Sequence, residues 1–140
     1  MGENRAALEE RYRKAVEHKN NGQYDAAIPE FEQLVNCEPG WAEAHLMLGL
    51  TYGFVGRFDE SLVSLQRATE LDPASVDAHL NLAKTFCMLG DYDQARREFQ
   101  AVLSLRPDHP EAKKQLSYFP PEEPSGNGPQ ASGTNAAAGG

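Results

Sequence analysis

A 34-residue interval runs through this chain and limits its possible folds more than any other feature. Gly22, Gly56 and Gly90 are 34 residues apart, and Pro39, Pro73 and Pro107 keep the same interval. Five further ladders share the phase: Tyr24, Phe58 and Tyr92; Asp25, Asp59 and Asp93; Ala27, Ser61 and Ala95; Phe31, Leu65 and Phe99; and Leu34, Ala68 and Val102. One ladder is within reach of chance, whereas seven in one phase define tandem copies of a supersecondary unit. The frame is Leu8–Trp41, Ala42–Ser75 and Val76–His109.

Each unit reads as two helices. In the second, Leu46, Leu48, Leu50 and Tyr52 lie on a first helix that stops near Gly56. Phe58, Leu62, Leu65, Ala68 and Leu71 then recur at steps of three and four, the apolar stripe of an amphipathic helix. Glycine at the break supplies the left-handed conformation that ends a helix without a Cβ penalty. The aspartate of each unit falls in the first turn of the following helix, where a carboxylate meets the positive end of the dipole. The proline just beyond that helix prevents its continuation. Pro29 departs from this scheme by standing inside the second helix of the first unit. Placed near the first turn, it is expected to cause no more than a slight kink.

These residues resemble the tetratricopeptide repeat, whose signature is Trp-x2-Leu-Gly-x2-Tyr, then Ala-x3-Phe, then Pro. The second unit carries it as His45, Leu48, Gly49, Tyr52, Ser61, Leu65 and Pro73. The third has His79, Leu82, Ala83, Phe86, Ala95, Phe99 and Pro107. The first unit keeps Ala27, Phe31 and Pro39 but has Arg11, Lys14 and His18 in its first helix, a polar face suited to the end of a stack. The resemblance covers Leu8 to His109 and implies an all-α, right-handed α-solenoid of three helix-turn-helix hairpins.

Residues 110–118 read as a short capping helix. Asp108 precedes it, Pro110 takes its first position, and Ala112, Leu116 and Tyr118 or Phe119 are available to cover the third unit. A repeat domain over residues 1–119 is therefore expected. Residues 120–140, rich in Pro, Gly, Ser, Asn and Ala, cannot bury enough apolar surface to offset ordering, so this tail is expected to be disordered.

The resemblance also implies where a partner would bind: on the concave face, lined by the first helix of each unit. Mapped onto this sequence, the first unit offers Glu9, Tyr12, Val16, Lys19 and Asn20. The second offers Glu43, Leu46, Leu50, Gly53 and Phe54, and the third Asp77, Leu80, Lys84, Cys87 and Met88. The picture is an apolar floor (Leu46, Leu50, Phe54, Leu80, Met88) beside an acidic ledge (Glu9, Glu43, Asp77). A fitting ligand is an extended or helical peptide with apolar anchors and a basic flank. The alternative is that Leu46, Leu50 and Leu80 are covered by neighbouring helices and belong to the core. Some family members grip the C-terminal carboxylate of a chaperone with Lys, Asn and Arg side chains. The corresponding positions here are Tyr12, Val16, Met47, Asp77 and Asn81. Only Asn81 offers a hydrogen bond and Asp77 repels a carboxylate, so that binding mode is disfavoured.

Net charge points the same way. At −8, with a pI near 4.9, the chain repels nucleic-acid phosphates and anionic membranes, so a protein is the expected partner. Met1 to Ala15 has no apolar h-region and no run reaches spanning length, so neither a secretory signal nor a membrane span is expected. Cys37 and Cys87 belong to no CxxC or Cys/His cluster and read as small, mostly buried thiols of a reducing compartment, the cytoplasm by default.

No catalytic constellation emerges. His45 and His79 occupy equivalent positions but lack a third metal ligand, and packed histidines are the simpler reading. Asp59-Glu60 and Glu122-Glu123 belong to a helix start and to the tail, outside any enclosed setting for acid–base work. Ser61, Ser64 and Ser104 have no nucleophile motif around them. The expected role is a non-catalytic adaptor without cofactor or metal, with self-assembly into a homo-oligomer as the alternative.

Overall fold

The computed structural model describes residues 4–120, so the tail from residue 121 onward lies outside the described residues. Over that span it contains seven α-helices: α1 (Arg5–Asn20), α2 (Tyr24–Cys37), α3 (Ala42–Phe54), α4 (Phe58–Leu71), α5 (Val76–Met88), α6 (Tyr92–Leu105) and α7 (Pro110–Ser117). Three glycines set the turns inside the hairpins. Gly22, Gly56 and Gly90 have φ of +76°, +81° and +81°, the left-handed region that strains any side chain. After each, the next residue's N–H reaches back across the turn: Gln23 to the His18 carbonyl (2.8 Å), Arg57 to Tyr52 and Asp91 to Phe86 (both 2.9 Å). These are Schellman closures, and their repetition makes the three turns nearly superimposable.

Side chains cap the starts of α1, α5, α6 and α7, whereas α2, α3 and α4 begin without one. Ser75 and Asp91 accept from the Ala78 and Gln94 amides at the starts of α5 and α6. In α7 the cap is His109, whose Nδ1 accepts from the Ala112 N–H at 3.2 Å, rather than Asp108. Pro29 sits at the sixth residue of α2, deeper than the first turn. It therefore removes a true helical hydrogen bond, to the Asp25 carbonyl, yet the helix runs through it unbroken because both residues are exposed and water can serve that carbonyl.

Burial follows the ladders. Ala27, Ser61 and Ala95, then Phe31, Leu65 and Phe99, then Leu34, Ala68 and Val102 are all at most 1% exposed, so each second helix drives one three-rung stripe into the stack. One core cluster joins α1, α2 and α3 around Phe31 and Leu34. The other joins α3 to α7 around Leu65, Phe86 and Phe99. Met47 packs against both. No hairpin buries its stripe alone, since the covering surface comes from the next unit. Beyond the third unit that surface is α7, which buries Ala112 and sets Leu116 and Phe119 against the cluster. Phe119 also meets the edge of Phe99 at 6.0 Å between ring centres.

The stack is curved. α1 touches α3 and α3 touches α5, whereas α2, α4 and α6 make no comparable contact with one another. The first helices are thus the closer-spaced inner row, and they line the concave side. Cys37, expected to be mostly buried, is exposed because it ends α2 at the rim, in the position held by Leu71 and Leu105 in the later units. The fold is an all-α, right-handed α-solenoid.

Candidate partner-binding groove

The inner row carries every residue assigned to the groove from sequence, but the structure separates them into three groups. Leu46 (6% exposed) and Leu80 (8%) are buried members of the larger core cluster, the alternative considered for them above. Tyr12 and Val16 are half-buried against the first cluster. Tyr12 lies tilted on Trp41 (5.0 Å between ring centres) and edge-on to Phe31 (6.1 Å). Burial, and behind it the negative charge of Glu43, pushes its hydroxyl up to about 12. Tyr12 is a packed wall residue rather than a free contact.

The acidic ledge is uneven. Glu9 pairs with Arg5 at 3.1 Å, and the same guanidinium reaches Glu38 at 3.6 Å and lies over the Trp41 ring. Glu43 and Asp77 are exposed in the first turns of α3 and α5, and neither side chain has an ion-pair partner among the described residues. They form the lip where the inner helices begin.

At the opposite ends of α3 and α5 the surface is apolar. Leu50 is half-buried, while Phe54 (56% exposed) and Met88 (63%) stand open. Phe54 is held by a stacked Tyr24 at 5.2 Å and by Lys19, whose ammonium lies 5.9 Å from the ring centre. Between them opens a cleft of about 420 Å³ that gathers Leu50, Gly53, Phe54, Asn81, Lys84, Cys87 and Met88. Both Cys87 and Met88 face it, and burial raises the Cys87 thiol above its ordinary value. Lys84 is tethered to Glu111 of α7 at 3.0 Å. The Asn81 amide gives one of its two N–H hydrogens to the Asp77 carbonyl of its own helix at 2.8 Å.

The cleft also contains residues that the sequence reading did not place there: Gly49, Phe58, Ser61, Leu65, Thr85 and, from α7, Gln115. Ser61 (1% exposed) and Thr85 (6%) form its polar floor. The Ser61 hydroxyl donates to the Gly49 carbonyl (2.7 Å) and the Thr85 hydroxyl to the Asn81 carbonyl (2.9 Å). The two hydroxyl oxygens are 3.4 Å apart. One signal was available in the sequence: Ser61 interrupts a ladder that is otherwise alanine.

The histidines are structural. His79 engages the Pro73 carbonyl through Nε2 (2.8 Å) and Glu98 through Nδ1 (2.7 Å), and His45 engages the Pro39 carbonyl (2.8 Å). Each ties the start of its helix to the proline turn before it. Among the described residues no group of three or more His, Cys, Asp or Glu side chains is gathered as metal ligands, and no helix is long and apolar enough to cross a membrane.

Comparison with known proteins supports the fold. Residues 11–39 and 55–116 match family profiles described as tetratricopeptide repeat. No curated protein matches the sequence significantly. Among solved structures, MamA from Desulfovibrio magneticus RS-1 is similar at 28% identity and a TM-score of 0.67, over 71% of this chain and 56% of that one. The first repeat domain of Spaghetti (RPAP3), solved bound to the HSP90 peptide SRMEEVD, is similar at 19% identity and a TM-score of 0.76, over 79% of this chain and 87% of that one. YrrB, described as having an unusual peptide-binding site, matches at 23% identity and a TM-score of 0.74, over 79% of this chain and 57% of its own. The present chain thus spans little more than half of those MamA (residue 41 to the end) and YrrB chains. With the hairpin geometry, the repeat ladders and both profile matches in agreement, the chain belongs to the tetratricopeptide-repeat family.

Proposed function

We propose that this protein is a non-catalytic adaptor that holds a segment of a partner protein in the concave groove of its inner helices. The observation carrying this reading is the open apolar cleft at one end of α3 and α5, opposite a lip where Glu43 and Asp77 have no cation partner among the described residues. A surface that leaves a Phe and a Met more than half exposed around a cavity costs solvation unless something covers it. Two structural relatives, RPAP3 and YrrB, are described with a bound peptide or a peptide-binding site, which agrees with such a role.

The groove favours a partner with apolar anchors for the cleft and a basic flank for the lip. It does not suit an acidic C-terminal tail, because Glu43 and Asp77 oppose a carboxylate and Asn81 alone offers a hydrogen bond among the positions that grip such tails. The acidic balance of the chain favours a protein over nucleic acid, and two unbridged cysteines fit a reducing compartment such as the cytoplasm. Burying one large apolar anchor contributes about 1.5–3 kcal/mol, so two or three anchors are enough for moderate affinity after the cost of association.

Leu50→Glu places a charge in the cleft, and Met88→Glu does so at a more exposed site. Both variants should keep wild-type helicity and lose capture of the partner from a native lysate. Capture that survives both substitutions would exclude the groove.

A second reading, self-association, is favoured by one observation. Past Met88 the apolar surface continues into a cleft of about 590 Å³ beside α7, where Tyr92 and Tyr118 are 59% and 67% exposed. Light scattering across a concentration series decides it: a mass that stays monomeric excludes this reading.

A further inference from the structure

The cleft between α3 and α5 has a chemistry specific enough to name its occupant, given the groove reading above. Its space comes from Gly53. The equivalent residues of the other units are Lys19 and Cys87, and a Cβ at Gly53 would lie only 3.6 Å from Ser61 Oγ, so any longer side chain would fill the cavity above the hydroxyls. Its walls are mainly apolar (Leu50, Phe54, Phe58 and Met88), with Asn81, Lys84 and Gln115 also bordering it. Its floor is the Ser61–Thr85 pair.

The state of that pair follows from hydrogen counting. A hydroxyl has one hydrogen, and a backbone carbonyl can only accept. Ser61 spends its hydrogen on Gly49 and Thr85 spends its own on Asn81, so none remains to bridge the 3.4 Å between the two oxygens. The floor is therefore a pair of acceptors without a donor, nearly buried at the base of an apolar cleft. At the preceding junction the same two places hold Ala27 and Thr51, so the pair is peculiar to the junction of the second and third units.

We infer that this cleft is an anchor pocket for a tryptophan side chain of the partner, whose indole ring fills the apolar walls and whose N–H donates to Ser61 Oγ and Thr85 Oγ1. Indole matches an acceptor-only floor because it is itself donor-only. A tyrosine hydroxyl would bring lone pairs that find no donor in the Ser61–Thr85 pair, and a phenylalanine would leave the floor unpaired. A lysine ammonium would lose its hydration among the apolar walls.

The test uses the full chain, isotope-labelled, titrated with indole and separately with 1-methylindole, which has the same ring and no N–H. Indole should shift the amide resonances of Gly49, Gly53 and Thr85 and bind about three- to tenfold more tightly than 1-methylindole, the worth of one neutral hydrogen bond. Ser61→Ala restores the residue found in the other two units, and combined with Thr85→Val it should erase that preference. Gly53→Leu should abolish binding of both compounds. Shifts confined to other residues, equal affinities, or a preference that survives the double variant would each overturn the assignment. If these fail while Leu50→Glu still blocks partner capture, the groove stands and only its anchor is wrong.

Discussion

Two glycines one helical turn apart on α3 should respond in opposite directions to the same substitution. Replacing glycine by alanine inside a helix gains about 0.8–1 kcal/mol from backbone propensity. At Gly53 the new Cβ would stand 3.6 Å from Ser61 Oγ, an ordinary contact, so most of that gain should be realised. At Gly49 it would lie 2.6 Å from Leu65 Cγ, 2.8 Å from its Cδ2 and 3.3 Å from its backbone nitrogen. Leu65 is 1% exposed inside the larger core cluster, and because the clash reaches its Cγ and backbone nitrogen, turning its methyl groups alone cannot clear the new Cβ. Overpacking of this kind costs about 1–3 kcal/mol, which outweighs the propensity gain. Gly53→Ala should therefore stabilise by about 0.5–1 kcal/mol, and Gly49→Ala should destabilise by up to about 2 kcal/mol.

Urea unfolding followed by circular dichroism measures both, with an unchanged m value as the check that only stability moved. The repeat supplies a control. The equivalent pairs are Ala15 with Phe31 and Ala83 with Phe99, in which a flat ring replaces the branched Leu. Leu65→Phe should therefore recover part of the Gly49→Ala loss, a positive coupling within one contact pair. If Gly49→Ala stabilises as much as Gly53→Ala, the close packing of α3 on α4 is misdescribed.

Three further predictions concern the scaffold. Pro29→Ala should raise stability by about 1–2 kcal/mol, since it restores a helical hydrogen bond and loses only the rigidity proline gives the unfolded chain; an unchanged urea midpoint would count against this. Phe99→Ala, at a position with no exposed surface, should cost about 3–5 kcal/mol and loosen α7, detectable as faster amide exchange around Leu116. Tyr12 and Tyr52 should titrate late. Burial first, and then Glu43 for Tyr12 and the hydrogen bond to Glu32 for Tyr52, pushes each hydroxyl up to about 12, above the usual 10 of an unfolded chain. Their contribution is fully present below pH 10 and is lost as pH rises through about 12. Phenolate absorbance of the folded protein should show the ionisation of Tyr12 and Tyr52 near pH 12, moving down to about 10 on unfolding.

The fold was largely legible because a repeat writes its contacts in register. Phe31, Leu65 and Phe99 must share one environment if the units stack, and they do. The groove was legible only in part. Family positions name the helix face, but whether Leu46 meets solvent depends on how far α5 leans over α3, and helix spacing is not encoded at any one position. Leu46 and Leu80 were lost to the core for that reason, and Gln115 was missed because α7 has no counterpart in the repeat frame. The Ser61–Thr85 floor depends on two residues 24 positions apart in sequence. Of these, only Ser61 stands out, as a break in an alanine ladder.

The central claim is that the inner face of the first helices, and not the outer face of the second, holds a partner. A photo-reactive phenylalanine analogue tests it most directly when placed at Phe54 on the inner row and, in a separate protein, at Val63 on the outward side of α4, two residues of comparable exposure (56% and 67%). After irradiation in the cells that make the protein, a discrete higher-mass adduct should form from position 54 and not from position 63. An adduct from position 63 with none from 54 would contradict the claim.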